Sequence, residues 1–261
     1  MYKIFISTFG RKTLKVKGGI PIEVGAEKRN NFLYELHDDK GDNISSENEY
    51  YGELTGLYWI WKNCKINDED IVGFCHYNKC LNISKKKVEK WFANNPSGII
   101  TLEPNFIRNH PIKDEVSAWI LAISKFGDNY LDSFNKLYNC EAESLGKTCR
   151  GGNMFIAKGD VFKQYCKWLF TTCKHVRLLV GDKPNVNSYM RRYCAYFGER
   201  MLAVYIDANH LPALGVKCRF QKWWLPYVRR VANFLKLDKN GRLYIVLKNR
   251  FGYVSQYSSK N

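Results

Sequence analysis

Short apolar runs alternate along this chain with longer stretches whose apolar residues recur at helical spacing. Ile4–Ile6, Ile20–Val24, Ile71–Cys75, Gly98–Leu102 and Asn153–Ala157 are strand-length runs, the continuous kind that a buried sheet requires. Between them, Tyr50, Leu54, Leu57, Tyr58 and Trp61 share one helical face, and Ser46 with Glu49 forms a capping box that predicts a helix from about Glu47 to Asn63. Ser84 is the expected N-cap of a helix with Val88, Trp91 and Phe92 inward. Asp114 opens another, and a further helix is expected over Asn129–Tyr138. Asp160 caps one that packs Phe162, Cys166, Leu169, Phe170 and Cys173. Two more cover Ser188–Tyr196 and Glu199–Ala208, with Gly198 between them. Strands that alternate with helices predict an α/β fold, with a mainly parallel central sheet and helices on both faces.

In open α/β sheets ligands bind beyond the carboxyl ends of the strands. The first run ends at Ser7 and Thr8, and the run Ile71–Cys75 ends in His76, Tyr77, Asn78 and Lys79. Asp42, Asn43 and Ser45 lie in the loop ahead of the central helix, and Glu53 stands among apolar neighbours within it. Arg150 and Asn153 flank Gly151 and Gly152, where a backbone without β-carbons permits close approach of a ligand. No GxSxG elbow, P-loop or GxGxxG fingerprint is present, and His37, His110, His175 and His210 are scattered.

The segments GDNIS, YGELTGLYWIWKN and GFCHYNK, in that order, resemble a family of bacterial polysaccharide-biosynthesis proteins known as DUF4422. Some of its members are galactofuranosyltransferases. The resemblance runs from about Lys3 to His210 and returns in RGGNMFIAK and FGERMLAVYI. Gly52 stands where the family commonly has Cys, and Asn78 where it has Arg. The resemblance implies a GT-A-like nucleotide-sugar fold and transfer of a sugar from a UDP-sugar, galactofuranose above all, to a capsular, O-antigen or exopolysaccharide acceptor, lipid-linked or free, with inversion. Many GT-A enzymes end a strand in Asp-x-Asp, which holds a divalent metal on the diphosphate. No carboxylate follows Cys75 here, so His76 and Lys79 are expected to take over part of that role; a bound Mg or Mn ion stays open as the alternative. Thr8, Asp42, Asn43, His76, Tyr77 and Lys79 are the expected donor-binding residues, and Glu53, Arg150, Asn153 and Arg200 the expected substrate-binding ones. Glu199, read as the first residue of a helix after Gly198, is the expected base, with Glu103 and Asp114 in reserve.

Composition adds three points. The net charge is +16, and residues 216–261 alone carry +10, so the chain reads as a transferase domain over 1–214 and a basic aromatic segment over 215–261. Within CRFQKWWLPYVRRVANFLK, Phe220, Trp223, Trp224, Tyr227, Val231, Phe234 and Leu235 recur at helical spacing among Arg and Lys. That pattern suits a helix lying at an anionic membrane interface. Nine cysteines, an odd number without a CxxC pair, argue against a disulfide framework and against zinc. With neither a signal peptide nor a stretch of membrane-spanning length in the sequence, the expectation is a cytoplasmic protein, peripheral on the inner membrane face. The rival classes are a nucleic-acid-binding protein that uses the basic tail and a catalytically silent carbohydrate-binding module; no nucleic-acid motif favours the former.

Overall fold

The computed structural model describes residues 1–106, 148–150, 152–182 and 191–221. The helices expected after Asp114 and over Asn129–Tyr138, and the segment beyond Gln221, lie outside the described residues. The chain divides into two compact units, Met1–Arg219 and Phe220–Asn261. The first begins with β1 (Tyr2–Thr8) and β2 (Gly19–Glu23), then α1 (Asn48–Tyr51) and α2 (Leu54–Asn63). Next come β3 (Ile71–His76), β4 (Lys79–Leu81), α3 (Lys85–Asn94) and β5 (Ile99–Leu102). The short strands β6 (Asn105–Phe106) and β7 (Thr148–Cys149) pair with each other. They are followed by β8 (Phe155–Lys158), α4 (Gly159–Val180), α5 (Tyr193–Ala208), β9 (Ala213–Val216) and β10 (Cys218–Phe220).

The fold is mixed α/β with a mainly parallel sheet. β1 lies between β2 and β3, parallel to both, and β9 is parallel to β5. β8 runs against this direction, antiparallel to β3 on one side and to β5 on the other, and the short β4 turns back antiparallel to β3. Strand periodicity divides the core in two. Phe5, Phe74, Ile99 and Phe155 point to one face, under α2, α4 and α5. Their neighbours Ile4, Cys75, Ile100 and Ile156 point to the other, under α3, β4 and the loop at Leu14. Tyr58 and Trp61 of α2 pack on Phe170 of α4, edge-on and stacked. Cys64, Cys75, Cys80, Cys166, Cys173, Cys194 and Cys218 are free thiols, and none of the described helices is long and apolar enough to cross a membrane.

Several local expectations change. The helix expected from Glu47 to Asn63 is broken. A 3-10 turn over Ser45–Glu47 leads into one turn of α-helix, and Gly52, at φ 55°, ends it before α2 starts. No side chain caps the turn, so Ser46 does not form the capping box. Ser84 does cap α3, accepting from Lys87 N at 3.4 Å. Asp160 lies inside the first turn of α4 rather than at its cap. Gly198 does not separate two helices: α5 runs through it, and its missing β-carbon lets Leu54 and Asn153 approach. The boundary at 214 falls within β9, and Cys218–Phe220 is strand rather than the start of a helix.

Gly159, where α4 begins, is pressed against the loop before β3: a β-carbon there would stand 2.0 Å from the Asn67 carbonyl oxygen. Backbone cannot yield as a flexible side chain does. Gly159→Ala is expected to lower the unfolding free energy by about 1–3 kcal/mol, and Ser84→Ala by about 1 kcal/mol, both measured by denaturant titration.

Candidate functional site

The connection from β1 goes outward to β2, and the chain then returns across β1 to form β3. Strand order therefore reverses between β1 and β3, and their carboxyl ends border the crevice where α/β folds place ligands. Since β8 is antiparallel, its entry lies at this same edge. Its register pairs Phe74 with Phe155, so His76 comes opposite Asn153.

The side chains that meet here come from four elements. His76 Nε2 bonds the Gly152 carbonyl oxygen and lies 4.0 Å from Glu53 Oε1. Asn153 Nδ2 donates to Glu53 Oε1 at 2.9 Å and to the Ala195 carbonyl at 3.4 Å. Arg192, at the N-cap of α5, donates to Glu53 Oε2 at 3.1 Å. Both Glu53 oxygens are thus engaged. The backbone that brings this about is left-handed at two successive residues, Gly152 at φ 72° and Asn153 at φ 51°. Asparagine is among the few non-glycine residues that tolerate this region. A β-carbon at 152 would stand 2.7 Å from Lys79 Nζ and 3.3 Å from His76 Nε2. Glycine at 152 is what lets Lys79 and His76 lie against the strand entry. Position 52 works the same way: the Arg192 guanidinium occupies the place a β-carbon would take, 2.4 Å away. Gly in place of the family's common Cys leaves that space open.

Charge follows from this geometry. Burial opposes ionisation of Glu53, but His76, Arg192 and the Asn153 amide together hold its pKa below the ordinary value. Burial, then the field of Lys79, pushes His76 down to about 4 against the opposing pull of Glu53. His76 is therefore neutral at neutral pH, and the charge that balances Glu53 belongs to Arg192. A carbonyl can only accept, so Nε2 of His76 carries the proton; in the neutral ring Nδ1 is then the bare nitrogen.

The ends of β1 and β2 continue the edge. Thr8 Oγ1 donates to the Arg11 carbonyl at 2.7 Å and accepts from Arg11 N at 3.1 Å, which closes a turn. Arg11 NH1 in turn donates to the Tyr77 hydroxyl at 3.0 Å. Arg29 lies over the Phe9 ring and is fixed by the fully buried Glu23 at 2.8 Å.

Of the expected site residues, Thr8, Glu53, His76, Tyr77, Lys79 and Asn153 gather at this edge. Asp42 and Asn43 do not. Asp42 is exposed and held by Tyr58 at 2.9 Å and Lys62 at 3.7 Å, at the far end of α2 from Glu53. A helix of ten residues spans about 15 Å. The side chain of Asn43 is spent on its own loop, bonding Gly41 O and Ser45 N. Arg150 is half-buried; burial lowers its pKa, and the field of Asp207 near the end of α5 opposes the shift. Glu199 and Arg200 lie inside α5 rather than at a helix start, so the argument that placed a base at a helix N-terminus does not hold. Arg200 is buried, with NH1 on the Tyr196 carbonyl at 3.1 Å. Arg11 and Arg192 were not foreseen. Arg192 lies in a stretch readable only as amphipathic helix, and nothing local in the sequence marks it as the partner of Glu53.

Residues 3–101 and 93–210 match the family described as a domain of unknown function, DUF4422, and the chain belongs to that family. No curated protein matches it. Its fold is similar to the apo structure of the bifunctional glycosyltransferase WbbM, with a TM-score of 0.62 and 24% sequence identity over 84% of this chain. The chain spans 45% of that protein, so it corresponds to less than half of it.

The residues at the end of β3 do not suit a divalent cation. Glu53 is the carboxylate beside them, and both its oxygens are taken by cationic or amide donors. No three His, Cys, Asp or Glu side chains among the described residues converge to hold a metal ion.

The His76 shift has a measurable sign. Between the unfolded value of about 6.5 and the folded value of about 4, the unfolded chain binds a proton that the native ring refuses. Stability is therefore expected to rise with pH across this window. Denaturant titrations from pH 4 to 7 should show the rise in the wild type and a smaller slope in His76→Gln. By NMR, the ring should titrate well below the ordinary range, and lower still in Glu53→Gln, which removes the charge that favours the imidazolium.

Proposed function

We propose that this protein is a glycosyltransferase that moves a sugar, galactofuranose from UDP-galactofuranose, onto a growing surface polysaccharide with inversion at the anomeric carbon. One observation carries the reading: in a chain with the fold of a glycosyltransferase, the end of β3 brings Lys79 against a close-approach glycine, Gly152, at the crevice where strand order reverses. Membership in the family supports the polysaccharide context. The choice of galactofuranose rests on the likeness of the GDNIS, YGELTGLYWIWKN and GFCHYNK segments to galactofuranosyltransferases.

In this reading the bond between the anomeric carbon and the terminal phosphate oxygen of UDP breaks while the acceptor hydroxyl oxygen bonds the same carbon from the opposite side. The proton of that hydroxyl passes to a base, and UDP leaves with the electron pair of the broken bond. Lys79, with Arg11 held by Tyr77 on the β1 turn, stabilises the charge that grows on the diphosphate. Thr8 and Tyr77 hold the turn that orients Arg11. Glu53 acts as a positioning residue, since Arg192 and Asn153 occupy its oxygens. Asn153 is buried, and its part in sugar binding is to hold the Gly152 entry and Glu53 in place. Arg150 is assigned to the substrate side; Asp42 and Asn43, expected on the donor, lie away from this edge in the loop by α2, and Arg200 is buried within α5. Glu199, a half-buried carboxylate on α5, is retained as the base.

The test is product formation from UDP-galactofuranose and a saccharide acceptor, with the anomeric configuration read by NMR. A β-linked product supports the proposal. A folded protein that turns over no UDP-sugar overturns it, and saccharide binding without UDP release would make it a binding module instead. Lys79→Ala is expected to lower kcat by about 10²–10³-fold, and Glu199→Gln by about 10²–10⁴-fold, both with the fold intact by circular dichroism. If Lys79 and Arg11 carry the leaving-group charge, activity persists in chelator; complete dependence on added manganese refutes that part.

A further inference from the structure

The Ile4, Cys75 and Ile100 face of the sheet is covered by α3 and the loop around Leu14 and Val16, and is bordered by the strands β4, β9 and β10 of the same sheet. Hydrogen bonds and a cation–π contact join these pieces into one continuous surface. Arg219 NH2 donates to the Lys15 carbonyl at 2.7 Å, and Asn82 N to the Lys217 carbonyl at 2.9 Å. Lys85 lies over the ring of Tyr2, which borders Gly18. The inward residues of the layer, Leu14, Leu81, Val88 and Phe92, are buried and apolar. Outward, Lys15, Lys17, Lys86, Lys90, Lys217 and Arg219 are all exposed.

What distinguishes this face is the shortage of counter-charge. In residues 11–18, 79–95 and 212–221 together, Glu89 is the only carboxylate, and it pairs with Lys85 at 3.5 Å. Glu103 borders the face beside Gly215. The opposite layer is different: Arg177 pairs with Glu47 and Asp182, Arg191 with Glu49, and Lys62 with Asp42. One side of the domain is therefore charge-balanced and the other cationic.

We propose that the α3–β10 face is a docking surface for an anionic lipid bilayer. This places the interaction on the folded domain itself, and it stands independently of the transfer chemistry. Three features favour lipid over nucleic acid. All of these exposed cations but Arg219 are lysines, point charges on flexible stems that suit a diffuse anionic surface. The large exposed hydrophobic residues among the described ones are Met1, Phe9, Leu33 and Leu178, so this face offers no aromatic platform for bases. And the sequence after Arg219 continues with Trp223, Trp224 and Phe234 among further Lys and Arg, the composition of an interfacial segment.

The experiment is co-sedimentation of the full-length chain with vesicles of phosphatidylcholine, or of equal parts phosphatidylcholine and phosphatidylglycerol, at low and high salt. Three proteins are compared: the wild type; a face variant with Lys86, Lys90 and Lys217 each changed to Glu; and a control variant with Lys65, Lys167 and Lys174 each changed to Glu on the other layer. Each cation near an anionic surface is worth about 1 kcal/mol, so the face variant is expected to partition at least ~100-fold more weakly. The control should bind far more tightly than the face variant, and salt should release both it and the wild type. All three proteins keep residues 220–261. Equal binding by the face variant and wild type would assign the effect to that segment and overturn the proposal. Equal loss in the two variants would overturn it too, as a mere effect of net charge. Release of wild type from vesicles by a DNA oligonucleotide at matched charge concentration would point to nucleic acid and reject lipid as the occupant. If the face variant is destabilised in thermal melts, the same three positions as Gln give the same comparison with a smaller expected loss.

Discussion

A carboxylate taken out of water must be paired, and Glu53 is the buried charge around which this domain closes. Its position just before α2 puts it beneath the end of β3, and it is reached from two directions. Asn153 approaches from the entry of β8 and Arg192 from the start of α5. Leaving such a group unpartnered would cost several kcal/mol. The four elements that meet at Glu53 are therefore coupled, and each backbone irregularity nearby serves the meeting. Gly52 breaks the helix where Arg192 needs room, Gly152 clears the way for Lys79 and His76, and Asn153 takes a left-handed conformation that aims its amide at the carboxylate. Departures from ideal geometry of this kind cluster at functional sites because surrounding contacts must hold them in place.

The same pairing divides the labour between charges at the strand end. With Arg192 committed to Glu53 and His76 kept neutral, Lys79 and, through the turn at Thr8, Arg11 are cations among the described residues that remain to face an anionic ligand at this edge. His76 contributes a ring whose tautomer is set by a backbone carbonyl, which fixes a bare nitrogen on its other side. A pair of cations with a glycine backbone between strand ends can meet a diphosphate without reorganising when charge develops, the condition under which electrostatic stabilisation is most effective. The antiparallel strand β8 makes this possible. A fully parallel sheet would place the entry of that strand at the opposite edge, and Gly152 and Asn153 would not face His76 at all.

The sheet, its mainly parallel order and its two covering layers were legible from the chain because they rest on local facts. Apolar runs of strand length, the cap at Ser84 and the facing residues of α4 each depend on neighbours a few positions away. So did the site's first half: polar residues at the end of β3 follow directly from where the apolar run stops. The other half depends on contacts across long stretches of chain. Glu53 and Asn153 are one hundred residues apart, and Arg192 is separated from Glu53 by still more. No spacing in the sequence records such a pairing. Asp42 and Asn43 show the opposite difficulty: a polar loop ahead of a helix looks equally suited to ligand binding and to turn formation, and in the structure their side chains bond within that loop and to α2. Glu199 and Gly198 were misplaced for a related reason. Glycine ends helices when exposed, but inside α5 it is the residue that permits close packing, and only the neighbours Leu54 and Asn153 tell the two uses apart. Sequence alone determines the elements and the chemistry available at each strand end. Tertiary structure decides which charges neutralise one another and which remain for a ligand, because burial and pairing are properties of residues brought together from distant parts of the chain.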